Sequence, residues 1–169
     1  MTNNVLLILF GIGVAFSGVT TAQPAGLGIL EAMEPAEIEM INDAGEVIRM
    51  TVRVADEPHE WYAGFQYIPK TVIEETIILF VFEVEIDAQV HMNNVLAPLE
   101  IAFIAADGRI LDIKGMYPNS GELYGTDRGN FKYAIEARLG FFTLQGISEE
   151  GSSLVVSSLP FTSDDASQP

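Results

Sequence analysis

The sequence predicts a mainly β fold, a β-barrel or a sandwich-like domain of about seven strands with one or two short helices. Three observations favour this class. Short runs rich in β-branched and aromatic residues recur between turn signals from residue 37 to residue 156. The pair Asp107-Gly108 stands between two such runs and supplies the positive φ angles of a tight hairpin. Regular alternation of strands with long helical segments, the pattern of a βαβ sheet, is absent from the sequence.

The first predicted elements are two strands around a turn. Residues 38–41 and 47–54 are strand-like, and the Asn-Asp-Ala-Gly segment between them has the composition of a turn. In the second run every other residue is apolar (Met50, Val52 and Val54). Because side chains alternate across a strand, we expect these three in the core.

The next segment is predicted to be helical and is followed by a buried strand. Residues 55–66 suit a short helix, with Asp56 as its N-cap and with Trp61 and Phe65 four residues apart on one face. Residues 77–82 form a continuous apolar run rich in β-branched and aromatic side chains. Such a run predicts a strand that is buried on both faces.

The second half of the chain predicts a hairpin and then shorter elements. Residues 99–105 and 109–113 are its two strands, and a long glycine-rich loop covers residues 115–130. A strand at 132–136, a short helical or turn segment at 138–147 and a last strand at 154–156 complete the predicted domain.

The N-terminal segment resembles an export signal. Residues 5–16 are continuously apolar, and the small residues Thr20 and Ala22 fit signal peptidase cleavage after Ala22. This divides the chain into a signal peptide (1–22), a Pro- and Gly-containing linker (23–36), a single domain (37–159) and a polar tail (160–169). We therefore expect an exported protein, periplasmic or extracellular. No Lys or Arg precedes the apolar run, so an uncleaved leader that acts as a membrane anchor is the alternative.

Composition excludes several classes of function. The chain has no cysteine, which excludes disulfides, thiolate metal sites and a cysteine nucleophile. It carries 24 acidic residues against 8 basic ones, a net charge of −16. The basic residues are dispersed and form no stripe that could neutralise phosphates, so nucleic acid is not an expected partner.

Catalytic and metal-binding motifs are sparse. The sequence has no Gly-x-Ser-x-Gly elbow, no phosphate-binding glycine loop and no His-x-x-x-His pair. Glu83, Glu85 and Asp87 alternate, so a strand would place their carboxylates on one face, where they are weak candidates for Ca²⁺ ligands. A charged strand edge exposed to solvent is the alternative interpretation, and we expect no other cofactor.

The order of several short pieces points to a known family. The pieces are Trp61-Tyr62-Ala63-Gly64-Phe65, Ile78-Leu79-Phe80-Val81-Phe82, His91-Met92-Asn93-Asn94, Pro98 to Ile104, Asp107-Gly108, Ala134-Ile135-Glu136 and Gly146-Ile147. Together they resemble domain of unknown function 192, from about residue 47 to residue 156. The resemblance implies a compact, mostly β exported domain with no activity established for the family as a whole.

Departures from the family pattern fall at polar positions. The family's aromatic-Trp-Met-Lys-Asn-Thr stretch reads Val90 to Val95 here and keeps Met92 and Asn94 but not the Trp, Lys or Thr. The arginine of its Gly-Leu-Met-x-Arg element is replaced by Ile68. The apolar frame is retained while these polar positions differ, which indicates a divergent member. If the family has a charged site, we expect that site to be changed or lost here.

Three functional hypotheses follow. The first is a non-catalytic binding module for a small molecule or carbohydrate, with its ligand in a cleft formed by Gly64 and by His91, Met92, Asn93 and Asn94. The second is a hydrolase-type enzyme in which Glu100 orients His91 as a base. The third is a structural or assembly subunit of an envelope complex with a protein partner.

Overall fold

The computed structural model describes residues 25–160. Its elements, in chain order, are α1 (Ala25–Ala32), β1 (Glu34–Ile41), β2 (Val47–Ala55), α2 (Pro58–Ala63), α3 (Lys70–Glu75), β3 (Ile78–Ile86), β4 (Val90–His91), β5 (Leu99–Ile104), β6 (Ile110–Met116), β7 (Leu123–Tyr124), β8 (Phe131–Arg138), α4 (Phe141–Leu144) and β9 (Ser153–Leu154), followed by a 3₁₀ turn at Val156–Ser158. The predicted mainly β class is confirmed.

Seven strands form one nearly closed, barrel-like sheet. Their order is β6-β5-β8-β3-β2-β1-β9, and β4 and β7 form a separate two-stranded sheet. The strand β9 pairs with β1, and a bridge between Arg109 and Ser153 joins it to the start of β6 on the other edge. All the strand pairs are antiparallel except β2 with β3, which are parallel because α2 and α3 carry the chain across between them. This single crossover was not predicted from the sequence.

The two faces of the sheet carry two apolar cores. The inner core lies inside the curved sheet and takes residues from every one of its strands, including Met50, Val52 and Val54 as predicted. The outer core covers β3, β5 and β8 on the opposite face and is closed by α1, by the segment after α2 and by β4 and β7. In β3, Ile78 and Phe80 belong to the outer core while Leu79 belongs to the inner one, so this strand is buried on both faces.

The predicted linker at 23–36 is wrong for its described part, because α1 and the start of β1 occupy residues 25–36. Leu30 and Met33 are buried in the outer core, and this packing outweighs the low helix propensity of the two glycines in α1. A Cβ on Gly26 would overlap the Gln66 carbonyl oxygen, so glycine is what lets α1 approach this closely. One of the glycines that suggested a linker, Gly26, therefore serves close packing instead.

The helix predicted at 55–66 is shorter, and its N-cap is Glu57 rather than Asp56. Pro58 occupies the first helical position, and the Glu60 side chain accepts the backbone N–H groups of Asp56 and Glu57. The helix ends at Gly64, whose φ of 43° and ψ of −129° are open only to glycine without strain. This ending places Gly64 over the outer face of the sheet.

The predicted signal peptide lies outside the described residues, and so does the predicted tail from residue 161 onward. Within residues 25–160, no helix is both long enough and apolar enough to cross a membrane.

Candidate functional site

A cavity of about 360 Å³ lies on the outer face of the sheet. It is bounded by β3, β5 and β8, by α2 and by the segment that contains β4. We call it the Glu136 pocket. It is lined by Trp61, Tyr62, Ala63, Gly64, Phe65, Gln66, Phe80, Phe82, Ile86, Ala88, Gln89, Val90, His91, Met92, Val95, Leu99, Ile101, Phe131, Ala134 and Glu136.

Aromatic rings form much of the wall. The ring centroids of Trp61 and Phe82 are 5.1 Å apart, and those of Phe82 and Phe131 are 5.7 Å apart. The Trp61 indole N–H donates to the Ala55 carbonyl at 3.0 Å, which fixes the indole orientation. The Phe80 ring also lines the cavity. Tilted and edge-to-face ring pairs of this kind hold one another in place, so the wall is preformed.

Glu136 is the charged group of the pocket floor. It lies on β8 between Ile78 of β3 and Ile101 of β5, and only 7% of its surface is exposed. Within residues 25–160, no hydrogen bond or ion pair to its carboxylate is found. Among the described residues, every side-chain oxygen that is fully buried has a hydrogen-bond partner. The Glu136 oxygens have no such partner, so they are not fully buried. The carboxylate therefore opens to the cavity.

Burial alone sets the acidity of this group. Desolvation raises the pKa of Glu136 from 4.5 to about 7, and no neighbouring charge or hydrogen bond opposes it. A carboxyl group with such a pKa titrates near neutral pH, whereas ordinary glutamates are already ionised there. Buried carboxyl groups with raised pKa values are typical of functional sites in clefts.

Gly64 lies directly above this carboxylate. A Cβ built on Gly64 would be 3.8 Å from Glu136 Oε2 and 3.6 Å from Phe80 Cζ. The glycine therefore leaves open the space that a side chain would take at the mouth of the pocket. Gly64, one of the predicted site residues, lines the cavity, whereas Glu136 beneath it was not predicted.

The predicted His91–Asn94 segment divides between the pocket and its rim. His91 and Met92 line the cavity, whereas Asn93 and Asn94 do not. The Asn93 N–H donates to His91 Nδ1 at 3.4 Å. Asn94 has a φ of 60°, and its side-chain amide donates to Gln66 Oε1 at 3.1 Å. These contacts make Asn94 a brace between the rim segment and the segment after α2.

The structure does not bring His91 and Glu100 together. Glu100 lies between Leu99 and Ile101 on β5, so its side chain points to the face opposite the pocket. There its Oε2 accepts the Phe142 backbone N–H at 3.2 Å, at the start of α4. Glu100 therefore anchors α4 over the inner core and cannot orient His91.

The three candidate metal ligands do not form a site. Glu83 and Glu85 are exposed on β3, with Asp87 just beyond it, and Glu85 Oε1 accepts the Ala106 backbone N–H at 3.1 Å. No group of three or more His, Asp or Glu among the described residues is arranged to hold a metal ion.

Sequence reasoning missed Glu136 because its strand suggests the wrong exposure. Lys132, Ala134 and Glu136 alternate, which is typical of a face open to solvent. The helices that cover this face come from a distant part of the chain. The available signal was the position of Glu136 within Ala134-Ile135-Glu136, one of the pieces that carry the family resemblance.

Fold and site define a class of protein: a small barrel-like β domain with a mostly apolar pocket of ligand size on its outer face. The chain is matched over residues 39–155 by the model of the family DUF192, described as Uncharacterized ACR, and it belongs to that family.

Two solved structures share the fold. One is a protein from Sinorhizobium meliloti 1021, described provisionally as a transcription regulator, with a TM-score of 0.67 and 26% identity over 75% of this chain and 97% of that one. The other is a protein of unknown function from Novosphingobium aromaticivorans, with a TM-score of 0.60 and 21% identity over 74% and 94% of the two chains. No curated protein is significantly similar to the chain.

Proposed function

We propose that this domain is a non-catalytic binding module that takes a small, largely apolar organic molecule into the Glu136 pocket. One observation carries the proposal: the cavity of about 360 Å³ has a preformed aromatic wall and a single carboxylate on its floor. Ligand sites in proteins are commonly about 300–1,000 Å³, with apolar linings and a few convergent polar groups.

The lining favours this ligand over a carbohydrate. Sugars require many hydrogen-bonding groups, whereas the polar side chains of this pocket are few (Gln66, Gln89, His91 and Glu136, with the phenol of Tyr62). It also disfavours the hydrolase hypothesis, since no serine or threonine lines the pocket within residues 25–160. Nucleophilic catalysis needs an activated nucleophile beside a base.

The cellular setting belongs to the same proposal. The apolar run followed by Thr20 and Ala22 supports export, so the module would act in the periplasm or outside the cell. The Sinorhizobium meliloti relative is described as a transcription regulator, and we do not propose that role for this chain. A net charge of −16 with dispersed basic residues opposes binding to DNA.

The test uses a blocked pocket. Ala134 is buried on the floor, and Ala134→Leu would place three more carbon atoms in the cavity. Its control is Ala32→Leu, the same change at an exposed position of α1. Phenethyl alcohol and phenethylammonium are the probes, and binding is followed by the backbone NMR resonances of the lining residues.

We expect at least one probe to shift those resonances in the parent protein and in Ala32→Leu, but not in Ala134→Leu. The NMR spectrum of Ala134→Leu without probe shows that the variant is folded. Equal binding by the blocked variant and its control would overturn the proposal, as would the absence of binding by both probes at millimolar concentration.

A further inference from the structure

We propose that the ligand of the Glu136 pocket is an organic cation, an ammonium group on an apolar frame, and that the Glu136 carboxylate is its counter-ion. This inference rests on the proposed function and goes beyond it by naming the class of ligand. It stands on four features of the pocket: an unpaired carboxylate, aromatic walls, the absence of a protein cation, and the donor set.

The unpaired carboxylate is the first feature. Glu136 is more than nine-tenths buried and faces the cavity between the apolar side chains of Ile78 and Ile101. Burying a carboxylate without a partner is costly unless a ligand supplies one. An apolar ligand alone would gain nothing from this group, and an anionic ligand would be repelled by it.

The aromatic wall is the second feature. Trp61, Phe80, Phe82 and Phe131 surround the same space that the carboxylate faces. The faces of aromatic rings attract alkylammonium groups, and the attraction increases when water is excluded. Ring faces and a carboxylate in one pocket therefore stabilise the same ion, a positive charge that carries apolar substituents.

The third feature is that the protein supplies no competing cation. None of the lining residues, all within the described part of the chain, is Lys or Arg. The net charge of −16 adds a long-range field that concentrates cations near the surface. The position is thus open to a cation from solution.

The donor set distinguishes an organic cation from a metal ion. Ca²⁺ takes about six to eight oxygen ligands, and Mg²⁺ demands a near-octahedral set. The pocket offers one carboxylate, and the other lining groups are mostly carbon. A monovalent ammonium needs only one anion and an apolar surround, which matches what the pocket provides.

Three probes with the same phenyl ring and similar length separate the outcomes: phenethylammonium is cationic, phenethyl alcohol is neutral and hydrocinnamate is anionic. Their dissociation constants are measured by NMR titration at about pH 8, where a carboxyl group with a pKa of about 7 is ionised. The proteins are the parent, Glu136→Gln, and the control Glu37→Gln, which removes an exposed carboxylate from β1.

We expect the parent and Glu37→Gln to bind phenethylammonium about tenfold more tightly than phenethyl alcohol, and hydrocinnamate most weakly. In Glu136→Gln the preference for the cation should vanish while the alcohol keeps its affinity within about threefold. Calorimetry near pH 7 should also show a proton released on binding of the cation, since the ligand favours the ionised carboxylate. His91 and Tyr62 are the other titratable groups that line the pocket, so this release is compared between the parent and Glu136→Gln.

The results that overturn the inference differ from those that overturn the proposed function. If phenethyl alcohol binds in the pocket as tightly as phenethylammonium, or if Glu136→Gln retains the preference, the cation is wrong and the binding module stands. If neither of these two probes binds the parent, both proposals are wrong.

Discussion

Replacing Glu136 with glutamine should stabilise the ligand-free protein, and more so as the pH rises. The pKa of Glu136 is raised from 4.5 to about 7 in the folded state. Between those values the folded protein keeps a proton that the unfolded chain loses, so folding becomes less favourable as pH increases. The loss begins near the lower value and levels off above the higher one.

The magnitude follows from the same two values. The cost of this carboxylate is small near pH 5 and reaches about 3 kcal/mol near pH 8. Glutamine keeps a polar side chain of similar shape but does not ionise, so it removes the pH-dependent part alone. The stability of Glu136→Gln relative to the parent should therefore increase by about 2–3 kcal/mol between about pH 5 and pH 8.

Urea denaturation of both proteins at several pH values measures this difference, with Glu37→Gln as the matched control for loss of one negative charge. Asp43, whose pKa is lowered mainly by the hydrogen bond from the Ser152 hydroxyl, titrates in all three proteins and cancels in the comparison. If the stability difference of Glu136→Gln stays as flat with pH as that of Glu37→Gln, the Glu136 carboxylate is not buried and unpaired, and it cannot serve as the counter-ion on the pocket floor.

Three further predictions concern the frame of the pocket. Phe80→Ala should lower the free energy of unfolding by about 3–5 kcal/mol, because a buried ring is lost, and an unchanged urea midpoint would contradict the burial of β3. Gly64→Ala should lower the free energy of unfolding by about 1–3 kcal/mol because the φ of Gly64 is positive. Gly28→Ala in α1, where the space around the Cβ is open, should not destabilise the protein, and equal melting temperatures for the two variants would refute the strain at Gly64. Asn94→Ala should lower the melting temperature, and Asn94→Gly should recover most of the loss, because the φ of 60° is the main source of strain in the alanine variant. If Asn94→Gly shows no recovery, the effect comes instead from the lost hydrogen bond to the Gln66 side chain.

Strand positions were predictable from the sequence because side-chain alternation is a local property. The faces of β2, the strands of the hairpin β5–β6 and the turns at residues 42–45 and 107–108 follow from the pattern within a few neighbouring residues. Helix α1 was missed because its stability comes from packing against distant residues rather than from propensity. The parallel pairing of β2 with β3 depends on the crossover of α2 and α3, which no local pattern records.

The site was predictable only in part, for the same reason. Gly64, His91 and Met92 line the cavity, and the sequence drew attention to them because their segments carry the family resemblance. The predicted pair of His91 and Glu100 is wrong because side chains alternate along β5, which points the Glu100 side chain to the inner face. Glu136 was not identified, since a carboxylate looks exposed until the covering helix is known. Which face of a strand is covered depends on the tertiary structure.

The last strand of the sheet has a consequence for the order of events during synthesis. Leu154 pairs with Met40 on one side, and its N–H donates to the Gly108 carbonyl at 2.8 Å on the other. A ribosome must therefore have synthesised the chain as far as residue 154 before the gap between β1 and β6 can be bridged. Until then both edges expose unpaired backbone groups, which is the state most prone to pairing with other chains. Truncation before residue 153 should leave a protein that aggregates rather than one that merely lacks a tail.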